Sequence, residues 1–274
     1  IIAGTLFIMW LGERITEKGI GNGISLIIMT GIIARLPFAL RDEFLSRLND
    51  QGGGLVIFLI EMVALFAVVV SVILLVQGTR KIPVQFAKKI VGNKQYGGVR
   101  QYIPLKVNAA GVMPIVFAQA IMFIPAYVAQ FFPESASWQG FAANITDYTS
   151  PLYNIVFATL IILFTYFYTA IAVNPSQMAD DMKKNGGFIP GVKPGRKTSE
   201  FIDDVMSKIT LPGSIFLALV AILPSFAKMA SVNTNFAQFY GGTSLLILVG
   251  VVLDTLQQIE SHLLMRHYDG LMKS

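Results

Sequence analysis

Long apolar stretches alternate with polar or basic stretches along the whole chain. About 20 apolar residues are enough to cross the roughly 30 Å hydrocarbon core of a bilayer as an α-helix. The pattern predicts an all-α polytopic membrane protein with six full transmembrane helices and one partial helix at residues 1–11. The six full spans are predicted at residues 24–40, 54–76, 107–132, 152–173, 209–226 and 240–264.

The amino-acid composition agrees with this pattern and excludes several kinds of functional site. Apolar residues make up 54% of the 274 residues and charged residues only 14%, too few for the surface of a water-soluble protein. The sequence has no cysteine, which excludes disulfides, thiolate metal sites and cysteine nucleophiles. The chain begins inside an apolar run without a starting methionine, so we interpret it as a piece of a longer protein.

Basic residues concentrate on one side of the predicted membrane topology. Connection 78–106 holds seven Lys and Arg residues and no acid, and connection 174–208 holds six basic residues. Alternating the spans places 17 of the 21 basic residues on one side, which the positive-inside rule identifies as cytoplasmic. The C-terminus then lies inside, and connections 42–53, 133–151 and 228–239 lie outside.

The two inner connections are longer than a turn between neighbouring helices requires. Attraction to anionic lipid, about 1 kcal/mol for each basic residue near the surface, would explain the charge of the first connection. It does not explain the length of either connection or the Pro and Gly residues within them. We therefore expect docking sites for a cytoplasmic partner, and a ribosome would meet such loops through its RNA phosphates.

Residues that could carry chemistry are scarce. The sequence contains no HExxH pair, P-loop, GxGxxG after a strand or GxSxG, so it predicts no enzymatic centre. His262 and His267 are expected at the membrane interface and not on a metal ion. Glu61 and Asp254 are acids inside the spans, and neither has an obvious cationic partner at mid-depth. Structural and ion-transfer roles are both open for these two carboxylates.

Four blocks of sequence are recognisable in order along the chain. They read WLGERITEKGIGNGI at 10–24, KIPVQFAKKIVGNKQYGG followed by IPLKVNAAGVMP at 81–114, NPSQMADDMKKNGGFIPGVKPGRKT at 174–198, and YGGTSLLI at 240–247. With the right number of helices between them, these blocks resemble the SecY family. The resemblance implies a chain that runs from late in helix four to the end of helix ten, without helices one to three and the plug segment.

The resemblance also implies a division of the chain. Residues 1–76 would hold helices four to six, with helix six belonging to the second half of the channel. The remaining parts would be a basic cytoplasmic loop at 77–107, helices seven and eight at 108–173, a second cytoplasmic loop at 174–208, and helices nine and ten with a short cytoplasmic tail at 209–274.

The function implied by the resemblance is that of a SecY-type helical bundle forming a protein-conducting channel in the bacterial plasma membrane. Such a channel translocates unfolded secretory polypeptides and releases transmembrane segments laterally into lipid, with no enzymatic activity and no cofactor. The implied partners are the small membrane subunits SecE and SecG, the SecA motor ATPase, the ribosome, signal sequences, nascent chains and anionic lipids.

The resemblance assigns roles to single positions that the hydrophobic pattern alone would leave as ordinary lipid-facing, core or surface residues. An apolar pore ring would be formed by Ile24, Ile28, Val116 and Ile247. Helix seven would line a lateral gate with Asn108, Pro114 and Gln119. Ribosome and motor docking would use Arg80, Lys81, Lys88, Lys89, Lys94, Arg100, Lys193 and Arg196.

Two departures from the family pattern lie in the docking loops. Lys193 stands where the family usually has an arginine, and a lysine keeps the charge but lacks the planar bidentate fork. Asn93 stands where a basic residue is common at the loop tip, so this position lacks the positive charge that the family usually presents there.

A secondary transporter with discontinuous helices is the alternative interpretation, because it too would have broken helices and polar groups at mid-membrane. The spans offer too few polar residues to build a convincing substrate site. A non-catalytic insertase or scaffold of another family is a third possibility. An apolar ring on an axial water path would favour the channel, and a closed polar pocket would favour the transporter.

Overall fold

The computed structural model describes residues 2–19, 21–48, 54–86, 89–91, 94–96, 100–129, 131 and 136–272. Most of these residues are helical. The helices are α1 (Ile2–Lys18), α2 (Gly23–Leu48), α3 (Gly54–Gln77), α4 (Met113–Met122), α5 (Ile124–Ala129), α6 (Ala136–Thr146), α7 (Pro151–Ala172), α8 (Pro175–Lys184), α9 (Arg196–Met229), α10 (Thr234–Ala237) and α11 (Gly242–Met272). A short 3₁₀ turn, Gln238–Tyr240, lies between α10 and α11.

Five of the described helices, α2, α3, α7, α9 and α11, are long and apolar enough to cross a membrane. They coincide with five of the six predicted full spans, and α1 takes the place of the partial helix. The predicted polytopic helical architecture is therefore confirmed.

The span expected at residues 107–132 differs from the prediction, because it is divided in two. Residues 107–112 form turns, with Gly111 at a φ of +66°, and α4 begins only at Met113. The helix ends at Met122, and Pro125 lies at the second position of α5. Proline has no N–H to donate and its ring clashes with the carbonyl four residues earlier, which favours a helix boundary at this point.

The chain forms two compact units, the first comprising Ile1–Ile73 with Val220–Ser274 and the second Leu74–Leu219. In the first unit α1 and α2 are neighbours. A Cβ added to Gly23 would lie 2.1 Å from the carbonyl oxygen of Gly12. The close approach of the α1 and α2 backbones therefore requires glycine at position 23. The C-terminal half of α2 packs on the segment before α11 through a core that includes Ala39, Phe236 and Tyr240.

The second unit contains strands that the hydrophobic pattern does not predict. They are β1 (Thr79–Phe86), β2 (Lys89–Val91), β3 (Lys94–Tyr96), β4 (Arg100–Lys106) and β5 (Gly187–Phe188). β1 pairs antiparallel with β4 along its length and with β5 at its end, in the order β4-β1-β5, while β2 and β3 form a separate pair. The two inner connections are thereby joined into one folded element.

One side of this sheet is covered by helices of the second inner connection. Ile82 and Val84 alternate with exposed residues along β1, as expected for a strand with one buried face. They form a core with Leu105 of β4 and with side chains from the second connection and α9. The added members of this core are Met182, Ile189, Ile202 and Met206.

Candidate functional site

The predicted ring positions of α2 lie close to its first turn. Ile24 and Ile28 are four residues apart, so they share one face of the helix, and they are 40% and 46% exposed. Ile247 lies on α11, which contacts α2, and it is half-buried.

The levels of Ile28 and Ile247 along the helix axes can be compared because α2 and α11 run antiparallel. A Cβ on Gly21 would lie 3.5 Å from Oγ1 of Thr255, whereas Ile28 shares a cavity wall with Ser244. Ile28 is seven residues beyond Gly21, and Ile247 is eight residues before Thr255. At about 1.5 Å per residue, Ile28 and Ile247 therefore lie at nearly the same height in the first unit.

Val116, the fourth predicted ring residue, belongs to the second unit, where it lies on α4 and is 42% exposed. On the same helix Pro114 is fully buried and Gln119 is half-buried. Phe117 holds α4 against α7, with its ring centroid 5.4 Å from that of Tyr168. Asn108 does not lie on this helix as expected, because it belongs to the turns that precede Met113.

A buried group of charged residues lies in the first unit and was missed by the sequence interpretation. The Nε of Arg47 donates to Oε1 of Glu43 at 2.9 Å, and its Nη2 donates to Oε1 of Glu61 at 2.6 Å. The same Nη2 donates to the carbonyl oxygen of Ser231 at 2.9 Å. Glu43 is 1% exposed, and Arg47 and Glu61 are each 7% exposed. We call Glu43, Arg47 and Glu61 the buried ion cluster.

Backbone groups complete this cluster. Oε2 of Glu43 accepts the N–H of Asn233 at 2.8 Å, and the hydroxyl of Tyr240 donates to the carbonyl oxygen of Glu61 at 2.7 Å. A phenol hydroxyl carries a proton at neutral pH, so Tyr240 can donate this bond.

The cluster overturns the expectation that Glu61 has no cationic partner. Its arrangement fastens the C-terminal end of α2 to α3 and to residues 231–240, directly before α11. One signal for it was present in the sequence: Glu43 and Arg47 have the i, i+4 spacing that pairs charges on a helix. That signal was lost because residues 42–53 were assigned to an outer connection, whereas α2 continues to Leu48.

The predicted docking residues lie on the folded inner connections of the second unit. Arg80 and Lys81 of β1 and Arg100 of β4 are exposed, and the β1–β4 ladder pairs Gln85 with Arg100 near one end. For Lys89 and Lys94 the structure describes only the backbone, in β2 and β3. Lys88 lies outside the described residues.

The second inner connection presents its basic residues beside the start of α9. Lys193 and Arg196 are exposed, and the carbonyl oxygen of Lys193 accepts the hydroxyl of Thr198 at 3.0 Å. Arg196 pairs with Glu200, its Nε 3.2 Å from Oε1. The shared core of β1 and Ile189 brings this connection to the sheet that carries Arg80 and Lys81.

Comparison with known proteins identifies the family. The SecY family model matches residues 1–256. The chain belongs to the SecY family. This confirms the resemblance drawn from the four sequence blocks.

Curated members of the family can be aligned with this sequence over its whole length. It is 45% identical to the protein translocase subunit SecY of Chlamydia trachomatis serovar D over 100% of its length, covering 61% of that protein. It is 48% identical to the subunit of Halalkalibacterium halodurans, again over 100% of its length and covering 64% of the relative. The chain thus spans about three fifths of the length of these curated relatives.

Two solved structures share the fold. One, described as the structure of a protein conducting channel, matches with a TM-score of 0.64 at 19% sequence identity, over 95% of this chain and 63% of that one. The other, a SecY protein whose plug domain is described as stabilising the closed state of the translocation channel, gives a TM-score of 0.61 at 19% identity, covering 95% of this chain and 64% of the other.

Proposed function

We propose that this chain forms part of a protein-conducting channel that moves unfolded secretory polypeptides across the bacterial plasma membrane. The observation that supports this most directly is the contact of α2 with α11, which brings Ile28 and Ile247 to nearly the same level along the two helices, with Ile28 lining a cavity. The relatives named as protein translocase subunits support the same function. No chemical step is assigned to the chain, which would act as a conduit.

The mechanism of sealing follows from the chemistry of the proposed ring. Ile24, Ile28 and Ile247, completed by Val116, would surround the narrowest part of the path with apolar side chains. Water leaves a narrow apolar constriction, and ions cannot cross it once it is dry. The β-branched side chains have few rotamers, so the ring closes in few ways, yet it offers no specific bonds that a passing polypeptide must break.

Release into lipid would use the region around α4. Asn108, Pro114 and Gln119 are the proposed gate residues, with Asn108 acting from the turn before the helix. Polar side chains between transmembrane helices contribute about 0.6–2 kcal/mol each. A seam with a few such contacts can stay closed and still separate when a signal sequence enters.

Partners would meet the cytoplasmic face. The exposed residues Arg80, Lys81, Arg100, Lys193 and Arg196 provide donors for ribosomal RNA phosphates or for acidic groups of the SecA motor. The tip lysines at 88, 89 and 94 belong to the same proposed surface. SecE, SecG, signal sequences, nascent chains and anionic lipids complete the proposed partners, and the C-terminus would be cytoplasmic.

The test is the variant Ile247→Asn in the complete channel. A polar amide in the ring would be solvated, the closed constriction would lose part of its dewetting barrier, and we expect a higher resting ion conductance in planar bilayers. Ile247→Val, which keeps the ring apolar, is the matched control and should stay tight. An Asn variant that leaks no more than the Val variant would contradict the proposed ring.

A further inference from the structure

An arginine, Arg35, lies halfway along α2 and is preceded in that helix by uncharged residues only. Arg35 is 12 residues beyond Gly23 and 13 before Leu48, the two ends of α2. A charged side chain at the centre of a transmembrane helix costs about 2.5–3.5 kcal/mol on insertion scales. Such residues are tolerated where they pair with another charge or face a water-filled path.

Arg35 faces a cavity of about 500 Å³ within the first unit, between α2 and the segment that leads into α11. The wall of this cavity is mixed, with polar or charged side chains at five of the eleven lining residues. It includes Ile28, Arg35, Asp42, Asn235, Gln238 and Ser244. Several hydrogen-bonding side chains around one space indicate a hydrated path and not a lipid-facing surface.

The cavity begins at the proposed pore ring. Ile28 and Arg35 are seven residues apart, so they share one face of α2 and are separated by about 10.5 Å along the helix axis. In the predicted topology α2 runs from the cytoplasmic side outward, so a polypeptide that has passed Ile28 would meet Arg35 next. Asp42 lies a further seven residues outward on the same face.

Arg35 is not used in holding this unit together. Among the described residues it makes no ion pair, in contrast to Arg47 of the same helix, which contacts two carboxylates. Arg35 is exposed and lines the cavity. The charge is therefore available to whatever occupies that space.

We propose that Arg35 is a charge-selecting residue of the translocation path, placed just outside the apolar ring. Its positive charge slows basic segments of a moving polypeptide and favours acidic ones. This rests on the proposed channel function. Two unit charges about 7 Å apart, at an effective dielectric between those of water and of protein, change a rate several-fold, and we expect about fivefold.

The experiment uses the complete channel in proteoliposomes with its motor. One secretory polypeptide is prepared in three versions, with four Lys, four Glu or four Gln residues at the same place in its mature part. The wild-type channel should transport the Glu version about fivefold faster than the Lys version. Arg35→Gln should bring this ratio close to one, Arg35→Glu should invert it, and Arg35→Lys should retain it.

Arg41→Gln is the matched control. Arg41 is an exposed arginine of α2, six residues beyond Arg35, and it does not line the cavity. It should keep the wild-type ratio. The wild-type ratio should also fall as KCl is raised from 50 to 500 mM, since salt screens charges in water, and this measurement needs no variant.

The outcomes separate the two proposals. If the wild-type channel transports the Gln version but its Glu-to-Lys ratio is near one or unaffected by salt, or if Arg35→Gln leaves the ratio unchanged, charge selection by Arg35 is wrong. If the wild-type channel transports none of the three versions, the proposed channel function fails, and charge selection fails with it.

Discussion

The same two residue types, arginine and glutamate, form ion pairs in two very different settings. In the buried ion cluster Arg47 contacts Glu43 and Glu61, and the side chains are at most 8% exposed. At the start of α9 Arg196 contacts Glu200 at 3.2 Å, but their side chains are 92% and 47% exposed. The distances are similar, so the difference between the regions is one of solvent.

This difference decides what each region can do. Water competes for the exposed pair and salt screens it, so Arg196 is held weakly and can exchange Glu200 for a partner's phosphate or carboxylate. In the buried cluster, removing one partner leaves the others as uncompensated charges away from water. The first arrangement suits docking, and the second suits a fixed junction between helices.

The largest effect should come from Arg47→Ala. The substitution leaves Glu43 and Glu61 buried without their cation, and breaking a buried pair in this way costs about 3–5 kcal/mol. We expect the midpoint of thermal unfolding in detergent to fall sharply. Arg196→Ala is the matched control and should leave the midpoint unchanged.

A triple variant sharpens this test. Replacing Glu43, Arg47 and Glu61 together with Leu, Met and Leu removes every charge and should recover most of the lost stability, because apolar replacements of buried ion groups are often neutral. Equal midpoints for Arg47→Ala and Arg196→Ala would show that burial does not distinguish the two regions.

A smaller loss is expected for Tyr240→Phe. The hydroxyl donates to the Glu61 carbonyl at 2.7 Å, and deleting a buried hydrogen bond of this kind costs about 0.5–1.5 kcal/mol. The unfolding midpoint should lie between wild type and Arg47→Ala. Tyr102→Phe, at an exposed tyrosine of β4, is the control and should be neutral. If the Tyr240 variant is as stable as this control, the hydroxyl of Tyr240 does not contribute to the stability of the region around the buried ion cluster.

The smallest effect on stability, but a clear effect on function, is expected for Lys193→Glu. The side chain is exposed, so unfolding should be unaffected. Motor-dependent export of secreted proteins should fall more than ribosome-coupled insertion of membrane proteins. Lys183→Glu, an exposed charge reversal on α8, controls for a general change of loop charge. Equal losses in both assays would indicate a misfolded loop and not a lost motor contact.

The sequence by itself determined the membrane architecture. Whether a segment can cross a bilayer depends on its own length and apolarity, so five spans could be predicted without knowing their neighbours. The basic inner connections follow equally from local composition, and so does the family resemblance carried by the four blocks. Pro125 marked the division of span 107–132 locally, but the span was predicted as continuous because helices in a bundle can accommodate proline.

Only the tertiary structure decided which charges are buried and how the loops fold. Glu61 is 14 residues from Arg47, and Asn233 is 190 residues from Glu43, so no local pattern joins them. The pairing of β1 with β5 likewise links two connections about a hundred residues apart. Burial is set by what other segments cover, and the free energy of an ion pair depends on that covering more than on the residues that form it.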